Sequence, residues 1–185
     1  ATTWIKLLDQ QLAAKDKPQL VQGKPEALVY TPVVFAIPKP MAEALGWPKT
    51  PIGWKTLTAL ASNPQGWAAY NHPEWGKFTL GKTHPELSTS GLAGTIGEFY
   101  AATGETSDLK IADLSKPQVE QAVAAVESAV SHYGDTTLTF LNNQYKLDQE
   151  TSTPYVSATV VEEKSVIDYN QGNPTGEPGQ ASTPP

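Results

Sequence analysis

The sequence predicts an α/β fold, a three-layer α/β/α sandwich around a mostly parallel sheet. Three observations carry this expectation. Apolar runs rich in β-branched residues, ALVYTPVVFAI at 27–37 and YVSATVV at 155–161, lack the alternation of a sheet with one wet face. Segments of helical spacing lie between the apolar runs. Polar turns with helix-start residues precede several of those segments, so strands alternate with helices and a parallel sheet covered on both faces follows.

Trp4, Ile5, Leu7, Leu8 and Leu12 predict a short amphipathic helix with Thr2 or Thr3 as cap, ended by Lys15-Asp16-Lys17-Pro18. Residues 18–26 hold Pro18, Gly23 and Pro25 and read as loop. Ala27–Ile37 is expected to be a strand buried on both faces. Pro32 in its middle cannot donate to a ladder and marks a bulge or a crossing between sheets. Lys39-Pro40 opens a helical turn through Leu45 to Gly46, and Ile52–Ala61 predicts a helix ended by Ser62-Asn63-Pro64.

Trp47, Trp54, Trp67, Trp75, Tyr70 and Phe78 crowd the next stretch. Such density can stack on a sugar ring, but packing is the better account of large aromatics. Phe78–Gly81 reads as a short strand broken at Gly81. A polar turn with Pro85 leads from it into Ser88-Thr89-Ser90-Gly91, and Leu92, Ile96, Phe99 and Tyr100 then recur at helical spacing up to a C-cap at Gly104. Ser115-Lys116-Pro117-Gln118 has capping-box spacing before a helix carrying Val119, Ala122, Val123, Val126, Val130 and Tyr133, stopped by Gly134. Asp135-Thr136-Thr137 caps a helix through Leu138, Phe140, Leu141 and Tyr145. Glu162-Glu163-Lys164 opens the last one after the 155–161 strand. Asn170–Pro185 is rich in Gly, Pro, Ser, Thr and Gln and reads as a linker or surface loop.

Composition narrows function. The chain has 185 residues, no Cys, 13 basic residues that are all Lys, and a formal net charge of −6. Thiol chemistry and Cys-based zinc sites are excluded, and without Arg or a basic cluster a nucleic-acid surface is not expected. No apolar run approaches the ~20 residues of a membrane span. The chain opens on Ala1 rather than Met, so it is expected to be processed or excised from a larger protein.

A strand that passes through a loop into a helix N-terminus points free N–H groups and the positive dipole end at the strand's carboxyl edge. There open α/β sheets bind ligands. Ser88, Thr89 and Ser90 add hydroxyls, which either cap the helix or donate to a ligand, and Gly91 permits close backbone approach. Thr83, Asp135, Thr136 and Glu162 are expected around the same cleft. His72, His84 and His132 lack metal-site spacing, Ser90 is not in a Gly-x-Ser-x-Gly elbow, and no catalytic His/Asp pair is placed by spacing. No enzyme, cofactor or metal is therefore expected.

Thr31-Pro32-Val33-Val34, Pro40-Met41-Ala42-Glu43-Ala44-Leu45-Gly46-Trp47, Gly66-Trp67-Ala68, His72-Pro73-Glu74-Trp75-Gly76, Leu80-Gly81-Lys82-Thr83, Ser88-Thr89-Ser90-Gly91-Leu92, Tyr133-Gly134-Asp135-Thr136-Thr137 and Val161-Glu162-Glu163-Lys164-Ser165 run in order along the chain, after Ala1-Thr2-Thr3-Trp4. With them the chain resembles bacterial extracellular solute-binding proteins of the type II periplasmic-binding-protein fold, in the branch sometimes joined to a von Willebrand factor A domain. The resemblance implies a residual first-lobe helix and hinge approach at 1–26, a ligand-binding second lobe at 27–170 and the linker or surface loop at 171–185. It also implies a small polar or anionic solute in an interlobe cleft, transporter subunits of ABC type as partners, and an extracellular or cell-envelope location. Ser90, Gly91 and Thr136 match helix termini that contact the ligand in the family. Glu162 departs from the oxyanion binders, since a carboxylate repels an anion, and this admits a cation, a zwitterion or a neutral solute. The alternative from another class is an extracellular interaction or adhesion module that keeps the fold without a small ligand.

Overall fold

A computed structural model describes residues 2–106, 108–151 and 153–179. The chain divides into two units, residues 1–31 and 32–185. In the first, α1 spans Thr2–Ala13, so Thr2 and Thr3 lie inside the helix rather than at its cap. The predicted stop holds: Asp16 takes the left-handed conformation, Asp16 N–H donates to the Ala13 carbonyl and Lys17 N–H reaches back to Leu12. This is the Schellman pattern. Leu28, Val29 and Tyr30 are 84–95% exposed and outside any strand.

The predicted 27–37 strand is therefore corrected. Only β1, Val33–Ala36, is strand; it lies at the sheet's edge and runs antiparallel to β4, Ala158–Glu162. Pro32 is the reason, because the ladder can begin only after a residue without N–H. Its carbonyl is still used, accepting from Glu163 N–H at 2.9 Å.

In the second unit α2, Lys39–Ala44, and α3, Trp54–Ala61, stand close to their predicted places, with α3 ending at Ser62. Two 3-10 turns, Gly66–Tyr70 and Pro73–Trp75, hold the aromatic stretch. Trp67 is fully buried there and donates Nε1–H to Ser157 Oγ at 3.0 Å, which assigns it to packing. Then follow β2, Leu80–Thr83; α4, Thr89–Thr103; α5, Ile111–Leu114; α6, Pro117–Ser128; β3, Val130–Gly134; α7, Thr137–Glu150; and, after β4, α8, Glu163–Asn170. Gly104 closes α4 in the left-handed conformation, as expected.

Gly81 does not break β2. The strand runs through it with a bulge after Leu80, and a Cβ at Gly81 would fall 2.2 Å from Phe140 Cζ, so the missing side chain admits that ring. The capping box belongs to α5, where Asp113 accepts from Lys110 N–H, whereas Ser115 bonds back to the Ile111 carbonyl. The helix predicted through Tyr133 stops at Ser128, because Val130-Ser131-His132-Tyr133-Gly134 also reads as a strand with alternate residues exposed. The strand pattern prevails where β3 pairs parallel with β2. After α8, Gly172 and Pro174 are buried and Asn173 N–H bonds the Asp168 carbonyl, so the predicted linker begins as a packed turn.

The sheet order is β1-β4-β2-β3, with β4, β2 and β3 parallel and β1 antiparallel, a mostly parallel sheet in a mixed α/β unit. Neighbouring residues of β4 enter different cores. Val160 joins Met41, Leu57, Leu60, Trp67, Leu80 and Val126, while Val161 joins Phe140, Leu141 and Val156. Helices α3, α4 and α6 pack together, as do α7 and α8. α4 buries Ser90, Gly91, Gly94 and Glu98 rather than its predicted apolar row, and Gly94 lets Val160 approach so closely that a Cβ would meet it at 2.9 Å.

Candidate functional site

β2 lies between β3 and β4, and the helices that leave these three parallel strands begin at the same edge of the sheet. β2 feeds α4, whereas β3 and β4 feed α7 and α8 in the other helix group. Neighbouring parallel strands whose helices diverge in this way open a crevice at their carboxyl ends, the usual ligand position of such sheets.

Five side chains form a continuous hydrogen-bonded chain there. Thr83, last residue of β2, donates Oγ1–H to Ser88 Oγ at 2.9 Å. Ser88 and Ser90 are 2.9 Å apart, and Ser90 is 3.0 Å from Thr83. Ser90 Oγ meets Thr137 Oγ1 at 2.8 Å, and Thr137 donates to Glu162 Oε2 at 2.9 Å. Thr83, Ser88, Ser90 and Thr137 are buried and Glu162 is half-buried. A carboxylate only accepts, and each hydroxyl has one proton. With Thr137 donating to Glu162, Ser90 donates to Thr137 and Ser88 to Ser90. The protons all point one way, from Thr83 toward Glu162.

This ordering settles what Ser88 does. It is the N-cap residue of α4, yet its hydroxyl makes no cap bond. The N-terminus of α8, behind Glu162, also lacks a side-chain cap. At α7 the cap is present: Thr136 Oγ1 accepts from Thr139 N–H at 3.2 Å. Thr89, Asp135 and Thr136 are exposed at the rim. Gly91 is buried, and a Cβ on it would lie 2.2 Å from the Thr83 carbonyl oxygen. The room it leaves is filled by the end of β2, so Gly91 seats α4 on the sheet. The structure thus joins Thr83, Ser88, Ser90 and Glu162, while Thr89, Asp135 and Thr136 are exposed beside that chain. Thr137, the link between them, was missed as a site residue; its place beside Thr136 at a strand-to-helix turn was the available signal.

A second polar cluster lies one residue back along β2. Lys82, 1% exposed, donates to Glu127 Oε1 at 2.5 Å, Glu98 Oε1 at 2.6 Å and Thr95 Oγ1 at 3.2 Å. Tyr133 donates its hydroxyl to Glu127 Oε2. Burial pushes the Glu98 carboxyl up to about 7 against the pull of Lys82. At Glu127 burial also acts upward, but the bonds from Lys82 and Tyr133 prevail and hold it below the usual range. Burial and the Glu127 carboxylate raise the Tyr133 hydroxyl well above its ordinary value. A lone lysine in an apolar strand was the sequence signal for this cluster.

A separate cleft of about 260 Å³, lined by Asn63, Pro64, Lys77, Phe78 and Ser128 among others, opens beside the residues that precede β2 and β3. It is at the sheet's other edge. Among the described residues, no grouping of His, Asp or Glu could hold a metal ion, and no helix is long and apolar enough to cross a membrane. Compared with protein-family models, curated proteins and solved structures, the chain matches none.

Proposed function

We propose that this chain is a ligand-binding lobe of an exported solute receptor, a three-layer α/β/α sandwich of the type II periplasmic-binding-protein kind that feeds an ABC-type transporter from the cell envelope. A fused von Willebrand factor A domain and transporter subunits are its proposed partners. The observation that carries the reading is the meeting of the α4, α7 and α8 N-termini at the carboxyl edge of the parallel strands, tied together by the chain from Thr83 to Glu162.

The direction of that chain bears on the solute. The hydroxyl protons are committed toward Glu162, so the donors left for a ligand are backbone amides at helix N-termini without a side-chain cap, α4 above all. Glu162 supplies an acceptor and a negative charge beside them. A small polar solute with an acceptor at one end and a donor or cationic group at the other suits this pairing better than a plain oxyanion.

Native mass spectrometry of the full-length protein from its own host tests the reading. A co-purifying small molecule is expected, with its affinity lowered at least tenfold in Glu162→Gln. A ligand-free protein whose melting temperature no amino acid, sugar, polyamine or oxyanion raises would count against a solute receptor.

A further inference from the structure

The buried cluster on β2 has an uneven balance of charge and donors. One ammonium, from Lys82, faces the carboxyls of Glu98 on α4 and Glu127 on α6. Its three N–H groups are all used, on Glu98 Oε1, Glu127 Oε1 and Thr95 Oγ1. Glu127 Oε2 is served by Tyr133 of β3. Glu98 Oε2 remains, buried and without a partner, on a side chain 1% exposed. Two ionised carboxylates on one ammonium leave a net negative charge, and because Glu98 is 1% exposed while Glu127 is 32% exposed, the burial penalty falls on Glu98 and its bare oxygen. One added proton cancels that charge. The titratable groups that act on Glu98 are Lys82 and Glu127, and Tyr133 in turn feels both glutamates.

We propose that Lys82, Glu98 and Glu127 form a proton-dependent clamp that seats α4 on β2 and α6. With one proton shared between the two carboxyls, the cluster is neutral and α4 is held firmly. Loss of that proton loosens the seat. Because α4 carries Ser88, Ser90 and Gly91 at its start, and Lys82 is next to Thr83, the clamp sets the position of the hydroxyl chain at the strand ends. The upward displacement of the Glu98 carboxyl, caused first by burial, puts the transition near neutrality.

The test uses the whole chain and its Glu98→Gln variant, which mimics the protonated carboxyl in shape and charge. Urea unfolding is followed from pH 5 to 8.5. The unfolding equilibrium constant of the parent is expected to rise roughly ten- to a hundredfold over this range, a tenfold change for each unit by which the carboxyl is displaced. The variant is expected to lose most of that rise. An equal rise in both proteins, or none in the parent, overturns the clamp. Should the variant fail to fold, ¹³C NMR of the parent's glutamate carboxyls decides alone: titration of the Glu98/Glu127 pair near neutrality supports the proposal, and full ionisation of both below pH 5 refutes it.

Discussion

Replacing Gly91 by Ala probes the seat of α4 most sharply. The new Cβ would lie 2.2 Å from the Thr83 carbonyl oxygen, 2.8 Å from its carbon and 3.0 Å from the His84 carbonyl carbon. Real Cβ atoms essentially never approach closer than 3.0 Å, so the first turn of α4 must retreat by the better part of an ångström. The obstacle is backbone at a strand end, which cannot swing aside as a side chain does. Overpacking of this kind costs ~2–3 kcal/mol. For a chain of this size that lowers the melting temperature by roughly 5–10 °C. The same retreat stretches the 3.0 Å and 2.8 Å contacts of Ser90 with Thr83 and Thr137. Differential scanning calorimetry measures the loss, with Gly53→Ala as control, since a Cβ there meets nothing within 4 Å. Gly53 is the N-cap of α3, so that change is expected to cost under ~1 kcal/mol. A Gly91→Ala protein that melts with the parent would refute the close packing of helix on strand.

Lys82→Met is expected to cost ~3–5 kcal/mol at pH 8, where the buried Glu98 and half-buried Glu127 carboxylates lose their ammonium, and clearly less at pH 5; urea unfolding at both values checks it, and equal losses contradict the pairing. The pH profile of stability has two opposed contributions. That of Glu98, raised from 4.5 to about 7, is fully present below 4.5 and lost as pH rises through 7, whereas that of Glu127, held low, is present above 4.5 and lost as pH falls through its depressed value. Together they place the maximum on the mildly acidic side, and a maximum above pH 8 in denaturant titrations contradicts it. Thr137→Val removes the hydroxyl between Ser90 and Glu162 and is expected to cost ~1–3 kcal/mol in thermal unfolding, with Thr137→Ser near the parent. Amides of α1, a mostly exposed helix in the first unit, are expected to exchange with solvent faster than those of α6, which buries Val119 and Val126; equal protection contradicts this.

Much of this fold was written in local chemistry. Gly104, Asp135-Thr136 and Glu162-Glu163 marked helix boundaries correctly because caps depend on neighbours in sequence. Where partners from afar decide, the local signal failed. The apolar Leu28-Val29-Tyr30 run reads as a strand, but Pro32 interrupts the ladder and no strand forms there. Val130 and Tyr133 fit helical spacing as well as strand alternation, and pairing with β2 chose the strand. At the candidate site, the turn at Ser88–Gly91 was legible as a strand-to-helix crossing. That Ser88 would turn from its cap toward Thr83 and Ser90 was not, since Thr137 approaches from 47 residues away. Lys82 and its glutamates share that limit, because a buried charge is intelligible only once its partners are in place.

The most direct measurement of the central claim is a backbone-amide NMR titration of the chain with the solute released from the full-length protein. Saturable shifts are expected to centre on Ser90, Gly91, Thr137 and Glu163, in the first turns of α4, α7 and α8, and to be lost in Glu162→Gln. Shifts centred instead on Asn63, Lys77 and Ser128 at the opposite edge, or no saturable shifts at all, would contradict it.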